Sequence, residues 1–200
     1  MVGNLCLTKE KSKVVQYINI DKANNLVYDK PEKVYEKGEL LQKFEEFVSV
    51  NGFVIEERVN TKRVPYEFVL EKNNKRYRIV TYLKNITGAG WADKPHIRRV
   101  QVTNIRKDNI DNYIDTTDTE VLVILGYYNF DNNPIMVAWN AYRYISHNTN
   151  RSCYVEVKDL QDGYKKGFEQ TTCSDQKIWV FRPEYFETFL DNYIDNNKAE

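Results

Sequence analysis

Net charge is what this sequence lacks first: 29 lysines and arginines balance 29 aspartates and glutamates. Such a chain has no global field to steer it onto DNA, so any nucleic-acid role must rest on local clustering. Cysteine is scarce, and Cys6, Cys153 and Cys173 lie far apart with no CxxC or Cys/His spacing. That excludes a zinc knuckle and a disulfide framework, and points to a reduced, cytoplasmic protein. Only two histidines occur, His96 and His147, and neither belongs to a recognisable Ser/His/Asp or Cys/His arrangement. No apolar run approaches the roughly 18 residues of a membrane span, and the start "MVGNLCLTKEKSKVV" has no apolar signal core. Neither a membrane partner nor secretion is expected. Glycine is sparse too, and the "GAG" at 88–90 is not followed by the helix that a phosphate-binding fingerprint needs.

Aromatics, by contrast, are abundant: 15 tyrosines, nine phenylalanines and three tryptophans. Tyrosine favours strands and half-buried surfaces, which predicts a β-rich protein. Apolar residues at helical spacing predict a helix over 39–50, ended by Asn51-Gly52. "PYEFVLEKNNKRYRIVTYLK" alternates on either side of Asn73-Asn74 and reads as a hairpin. "IRRVQV" is a half-buried strand, with Arg99 and Gln101 on one face and Val100 and Val102 on the other. "VLVILGYYNF" reads as a central strand, "IMVAWN" and "SCYVEV" as further strands, and "KDLQDGYKKGF" as a short helix. "KIWVFR" is another strand, and "PEYFETFLDNYI" a closing helix with Pro183 in its first turn. Trp139 and Trp179 fall inside strand patterns and read as core, and Cys153 as a small buried hydrophobe. A short edge strand is expected near 14–20, and an acidic connector over 107–120.

These elements predict an α+β fold: a twisted, mainly antiparallel sheet with one N-terminal helix and two helices near the C-terminus. Two hundred residues suit a single domain over 1–200, with 1–31 as a loosely attached N-terminal segment.

Two features carry chemistry. The first is "GAGWADKPHIRRVQV". From Glu56 to Lys107 the chain holds 13 lysines and arginines against five acids, whereas residues 108–120 hold five acids and no base. Arginine offers paired donors to phosphates or guanine edges, tryptophan can stack on a base, and glycines let a backbone approach closely. Trp91, Lys94, His96, Arg98, Arg99 and Gln101 are therefore the candidate DNA-binding residues. The bland alternative is an ordinary loop with a solvated basic edge. The second feature is "YVEVKDL". An acid, a hydrophobe and a lysine on a strand form the E-x-K half of a PD-(D/E)xK nuclease site, where two carboxylates hold magnesium and the lysine polarises water. Asp131, in a turn, is the nearby upstream acid, so Asp131, Glu156 and Lys158 would be catalytic there, with Asp131 and Glu156 as metal ligands. The bland alternative is a solvent-facing Glu/Lys pair.

From residue 76 to 194, the order "YRIVTYLKNIT", a glycine-rich basic loop, "IRRVQV", "VLVILGYYNFDNNPIMVAW", "SCYVEV", "KDLQDGYKKGF" and "WVFRPEYFETFLDNY" resembles small domains of bacterial restriction–modification and phage-defence systems. The resemblance implies DNA recognition, with loop 88–99 as the contact region. It also implies double-stranded DNA, modified or unmodified, as the partner, and a nuclease or methylase alongside. A DNA-binding or specificity module that needs no cofactor is the leading expectation. A magnesium-dependent nuclease and a protein-interaction subunit stay open as alternatives.

Overall fold

The computed structural model describes residues 18–20, 26–28, 33–103, 119–130, 133–144 and 150–197. In chain order the elements begin with strands β1 (Ile18–Ile20) and β2 (Leu26–Tyr28), which form a separate antiparallel pair, followed by helix α1 (Lys37–Val50). Next come β3 (Val54–Asn60), β4 (Tyr66–Lys72), β5 (Lys75–Asn85), β6 (Thr87–Gly88) and β7 (Ile97–Val102). The second half contains β8 (Thr119–Phe130), β9 (Asn133–Asn140), β10 (Arg151–Glu156), α2 (Val157–Lys166), β11 (Phe168–Cys173), β12 (Gln176–Phe181) and α3 (Phe186–Asn197). The fold is α+β and mainly antiparallel, with one helix before the large sheet and two near the C-terminus, as the sequence pattern requires.

Seven strands form the main sheet in the order β11-β12-β9-β8-β5-β4-β3. Residues 121–128 of β8 are all buried, and alternation sends them to opposite faces. Val121, Val123, Leu125 and Tyr127 join the core under α1 and α3, with Phe44, Phe47, Phe186 and Phe189. Leu122, Ile124 and Tyr128 join a second core on the other face. A continuous apolar run is the signature of such a doubly covered strand. β8 pairs in parallel with β5, and the long connection between them contains β6 and β7.

The second core is roofed by α2 and by a three-stranded sheet ordered β10-β7-β6. "IRRVQV" thus belongs to a second, smaller sheet rather than to the main one. Val100 and Val102 of β7, and Cys153 and Val155 of β10, point down into that core. The indole Nε1 of Trp139 on β9 donates to the carbonyl of Tyr154 at 3.1 Å, tying the two sheets together.

Local chemistry sets the turns. Asn73 and Asn74 both adopt positive φ (54° and 62°), as a two-residue hairpin between right-twisted strands requires. Ser174 and Asp175 do the same (49° and 60°) between β11 and β12. The expected edge strand near 14–20 is described only at Ile18–Ile20, and the acidic connector lies mostly outside the described residues.

Candidate nucleic-acid interface

The outer face of the small sheet follows from its inner one. β7 and β10 are antiparallel, with Gln101 opposite Ser152 and Arg99 opposite Tyr154, while Thr87 of β6 lies on the other side of Arg99. Since Val100, Val102, Cys153 and Val155 face the core, Arg99, Gln101, Ser152, Tyr154 and Thr87 share the opposite surface, where Tyr154 is half-buried and also packs against the second core.

The loop between β6 and β7 folds back over this surface. The Ala89 amide donates to the Ile97 carbonyl at 3.1 Å, the Lys94 amide to the Trp91 carbonyl at 3.3 Å, and the Ile97 amide to the Lys94 carbonyl at 3.1 Å. Gly90 has φ +77°, a conformation that other residues adopt only with strain. This path sets the Trp91 ring against Tyr154, with centroids 5.1 Å apart and planes inclined by 35°. Trp91 nevertheless stays 40% exposed, whereas Trp139 and Trp179 are fully buried. The Lys94 ammonium sits 5.6 Å from the Trp91 ring centroid, within cation–π range. The first amide of α2, at Val157, donates to the His96 carbonyl at 3.0 Å, so helix and loop are fixed to each other.

The structure therefore brings together Trp91, Lys94, Arg99 and Gln101. It places His96 exposed on the loop and takes Arg98 away. Arg98 lies on the core side of β7, is 2% exposed, and donates through Nη1 to the Pro95 carbonyl at 2.7 Å. The adjacent arginines were bound to face opposite ways on a strand, and Arg98 supports the loop from beneath. Tyr154 was not among the expected residues. Alternation in "SCYVEV" sets it opposite to Cys153 and Val155, but only the pairing of β10 with β7 puts it beside Trp91.

The wider basic segment does not form one open patch. Arg58 pairs with Glu45, Arg76 with Glu56, Arg78 with Glu67, Lys72 with Glu187 and Lys75 with Asp191. Three of these acids, Glu45, Glu187 and Asp191, come from outside the basic segment, and Glu56 and Glu67 from within it. Arg99 has no ion-pair partner among the described residues. Asp93 lies in the same loop as Trp91 and Lys94, and Glu156, opposite Ile97 at the end of β10, is engaged in the capping box of α2.

The nuclease triplet falls across a junction. β10 ends at Glu156, and Lys158 is an exposed residue in the first turn of α2, so the two do not project from one strand. Glu156 is the N-cap of α2 and forms a capping box with Asp159, whose carboxylate accepts the Glu156 amide at 3.1 Å. Burial raises the pKa of the Asp159 carboxyl above the usual carboxylate value. Asp131 lies outside the described residues, and among those described no three or more His, Cys, Asp or Glu side chains converge to hold a metal ion. No described helix is long and apolar enough to cross a membrane.

An α+β scaffold carrying an aromatic and basic sheet face is the class of protein that these observations define. Residues 77–190 match the family described as methylase-associated X1, and the chain belongs to that family. The matched segment runs from β5 into α3 and contains the whole small sheet. It is a methylase-associated domain, in keeping with a restriction–modification setting. No curated protein and no solved structure matches the chain.

Proposed function

We propose that this chain is the DNA-contacting module of a methylase-linked, restriction-type defence system, working beside a methylase. The observation that carries the reading is the solvent-side surface where Trp91 packs on Tyr154 beside Arg99, an arginine with no acid partner among the described residues. Within a matched family whose description names methylases, such a surface suits DNA. Arg99 and Lys94 supply charge-assisted donors to phosphates or base edges, and Gln101 can both donate and accept. Phosphate contacts fix register, whereas side chains at base edges specify sequence.

Binding of the full chain to fluorescently labelled DNA, measured by anisotropy across a salt series, tests this reading. Arg99→Ala is expected to weaken binding and to flatten the dependence of log affinity on log salt by about one unit of slope, without lowering the melting temperature. An Arg99→Ala variant that binds like wild type removes this surface from the contact, and a wild-type chain that binds no DNA overturns the proposal.

A further inference from the structure

We infer that Trp91 and Tyr154 form a stacking site for an unpaired DNA base, so that this surface takes a nucleotide outside the double helix; the inference rests on the DNA-contacting role proposed above. Three observations point this way.

The first is charge. The chain is neutral overall, and Arg58, Lys72, Lys75, Arg76 and Arg78 are each paired with an acid. Release of counterions from phosphates dominates duplex binding, and at this surface Lys94 and Arg99 are the bases that the loop and β7 offer to it. Stacking on a base adds affinity that does not depend on those charges.

The second is the ring pair itself. Trp91 keeps two-fifths of its surface in solvent although it packs on Tyr154. A loop tryptophan packed on a strand tyrosine is a ready stacking partner for a π-face, and every base has one. Within a perfect duplex those faces are covered by neighbouring bases. Only a single strand, or a base turned out of the stack, can present one.

The third is shape. Reading a major groove calls for a protruding helix or a two-stranded ribbon. Here the groups lie across three paired strands, β10, β7 and β6, with the loop folded over them. Arg99, directly opposite Tyr154, is set to hold the phosphate or an edge of the stacked nucleotide. Lys94 is exposed over the Trp91 ring, so an arriving base displaces its ammonium towards the backbone.

The test uses the full chain and three labelled DNAs of one mixed sequence: a single-stranded 20-mer, its perfect duplex, and the duplex with a one-nucleotide bulge. The single strand, the bulged duplex or both are expected to bind more tightly than the perfect duplex. Preference for the single strand alone identifies a strand as the source of the base, and preference for the bulge identifies an extruded base. Trp91→Ala should lose about 5- to 150-fold on the preferred DNA, and Trp91→Phe should recover part of that loss. Trp139 and Trp179 are buried, so the quencher-accessible tryptophan emission belongs to Trp91. That emission should fall saturably as DNA is added. Equal affinity for all three DNAs, or an alanine variant that binds the preferred DNA like wild type, overturns the stacking site. Either result leaves the Arg99 contact standing, whereas failure to bind any of the three overturns both.

Discussion

Arg78 on β5 donates from Nε to Oε1 of Glu67 on β4 at 2.6 Å, and the Glu67 carboxylate is almost wholly buried. Glu67 pairs with Val80 and Arg78 with Val69, so the two charged residues are diagonal neighbours across the hairpin. Glu120 lies opposite Arg78 in the parallel ladder on the other side. A carboxylate taken out of water is tolerable only while its partner remains. Arg78→Met should therefore cost about 3–5 kcal/mol of unfolding free energy, read from urea melts. Replacing both residues, as Glu67→Gln with Arg78→Met, should recover much of that loss. A double variant no better than the single one would show that the ion pair is not what holds this position.

Gly163 sets the approach of α2 to the main sheet. A Cβ built there would lie 2.4 Å from Cγ1 and 2.7 Å from Cβ of Val180 on β12. Alanine in a helix interior normally gains about 1 kcal/mol over glycine. Here the clash meets a β-branched side chain with little rotamer freedom, and overpacking typically costs about 1–3 kcal/mol. Gly163→Ala is expected to lower the melting temperature. Adding Val180→Ala should return part of the difference, because the alanine methyl then occupies space that the valine has left. A more stable Gly163→Ala single variant would mean that α2 sits farther from the sheet.

Cys153 on β10 is fully buried in the second core, and burial, partly offset by a hydrogen bond with Tyr144, pushes its thiol up to about 12. The sign is that of a group whose charged form is disfavoured, so the nucleophilic thiolate is almost absent at neutral pH. In a Cys6→Ser background, native protein at pH 7.5 should leave Cys153 unlabelled by iodoacetamide. Unfolding in guanidinium should expose it to the reagent. Rapid labelling of the native thiol, located by peptide mass mapping, would contradict its burial.

The parts of the fold that were legible in the sequence are those where one strong periodicity decides. Residues 121–128 could only be a strand covered on both faces, and Leu40, Phe44, Phe47 and Val48 mark the buried stripe of α1. The double-asparagine hairpin was legible because both residues tolerate positive φ. β11 went unread because "FEQTTC" is half polar, and because Ser174-Asp175 makes the same turn without the usual glycine or asparagine. Alternation on β7 foretold the surface position of Arg99 and Gln101, and applied strictly it also removes Arg98. What the sequence could not display is long-range pairing. Tyr154 meets Trp91 only because β10 lies beside β7 across some 50 residues of chain. Likewise, two of the acids that pair with the basic segment, Glu187 and Asp191, come from α3, more than 100 residues away.

Glu156 and Lys158 offer the sharpest separation between a structural role and a catalytic one. Glu156 sits at the N-cap of α2, and the Asp159 carboxylate accepts its amide, so this corner satisfies a donor that the first helical turn would otherwise leave open. Losing one half of such a cap costs about 0.5–2 kcal/mol. Asp159→Ala should therefore lower stability by about 1 kcal/mol. Asp159→Asn keeps an accepting oxygen and also removes a carboxylate whose charge burial disfavours, so it should stay close to wild type. Lys158 is exposed and has no part in the cap, so Lys158→Ala should change stability by less than about 0.5 kcal/mol. A magnesium-dependent nuclease reads out differently. There, Glu156→Ala and Lys158→Ala would each abolish plasmid nicking by a wild-type chain, with losses far larger than the change in folded fraction. The expected outcome is the structural pattern, in which urea melts register Asp159→Ala, barely register Lys158→Ala, and neither Glu156→Ala nor Lys158→Ala alters the state of a plasmid incubated with magnesium. Nicking by wild type that both substitutions abolish would restore the triplet as a metal site, with the cap as its scaffold.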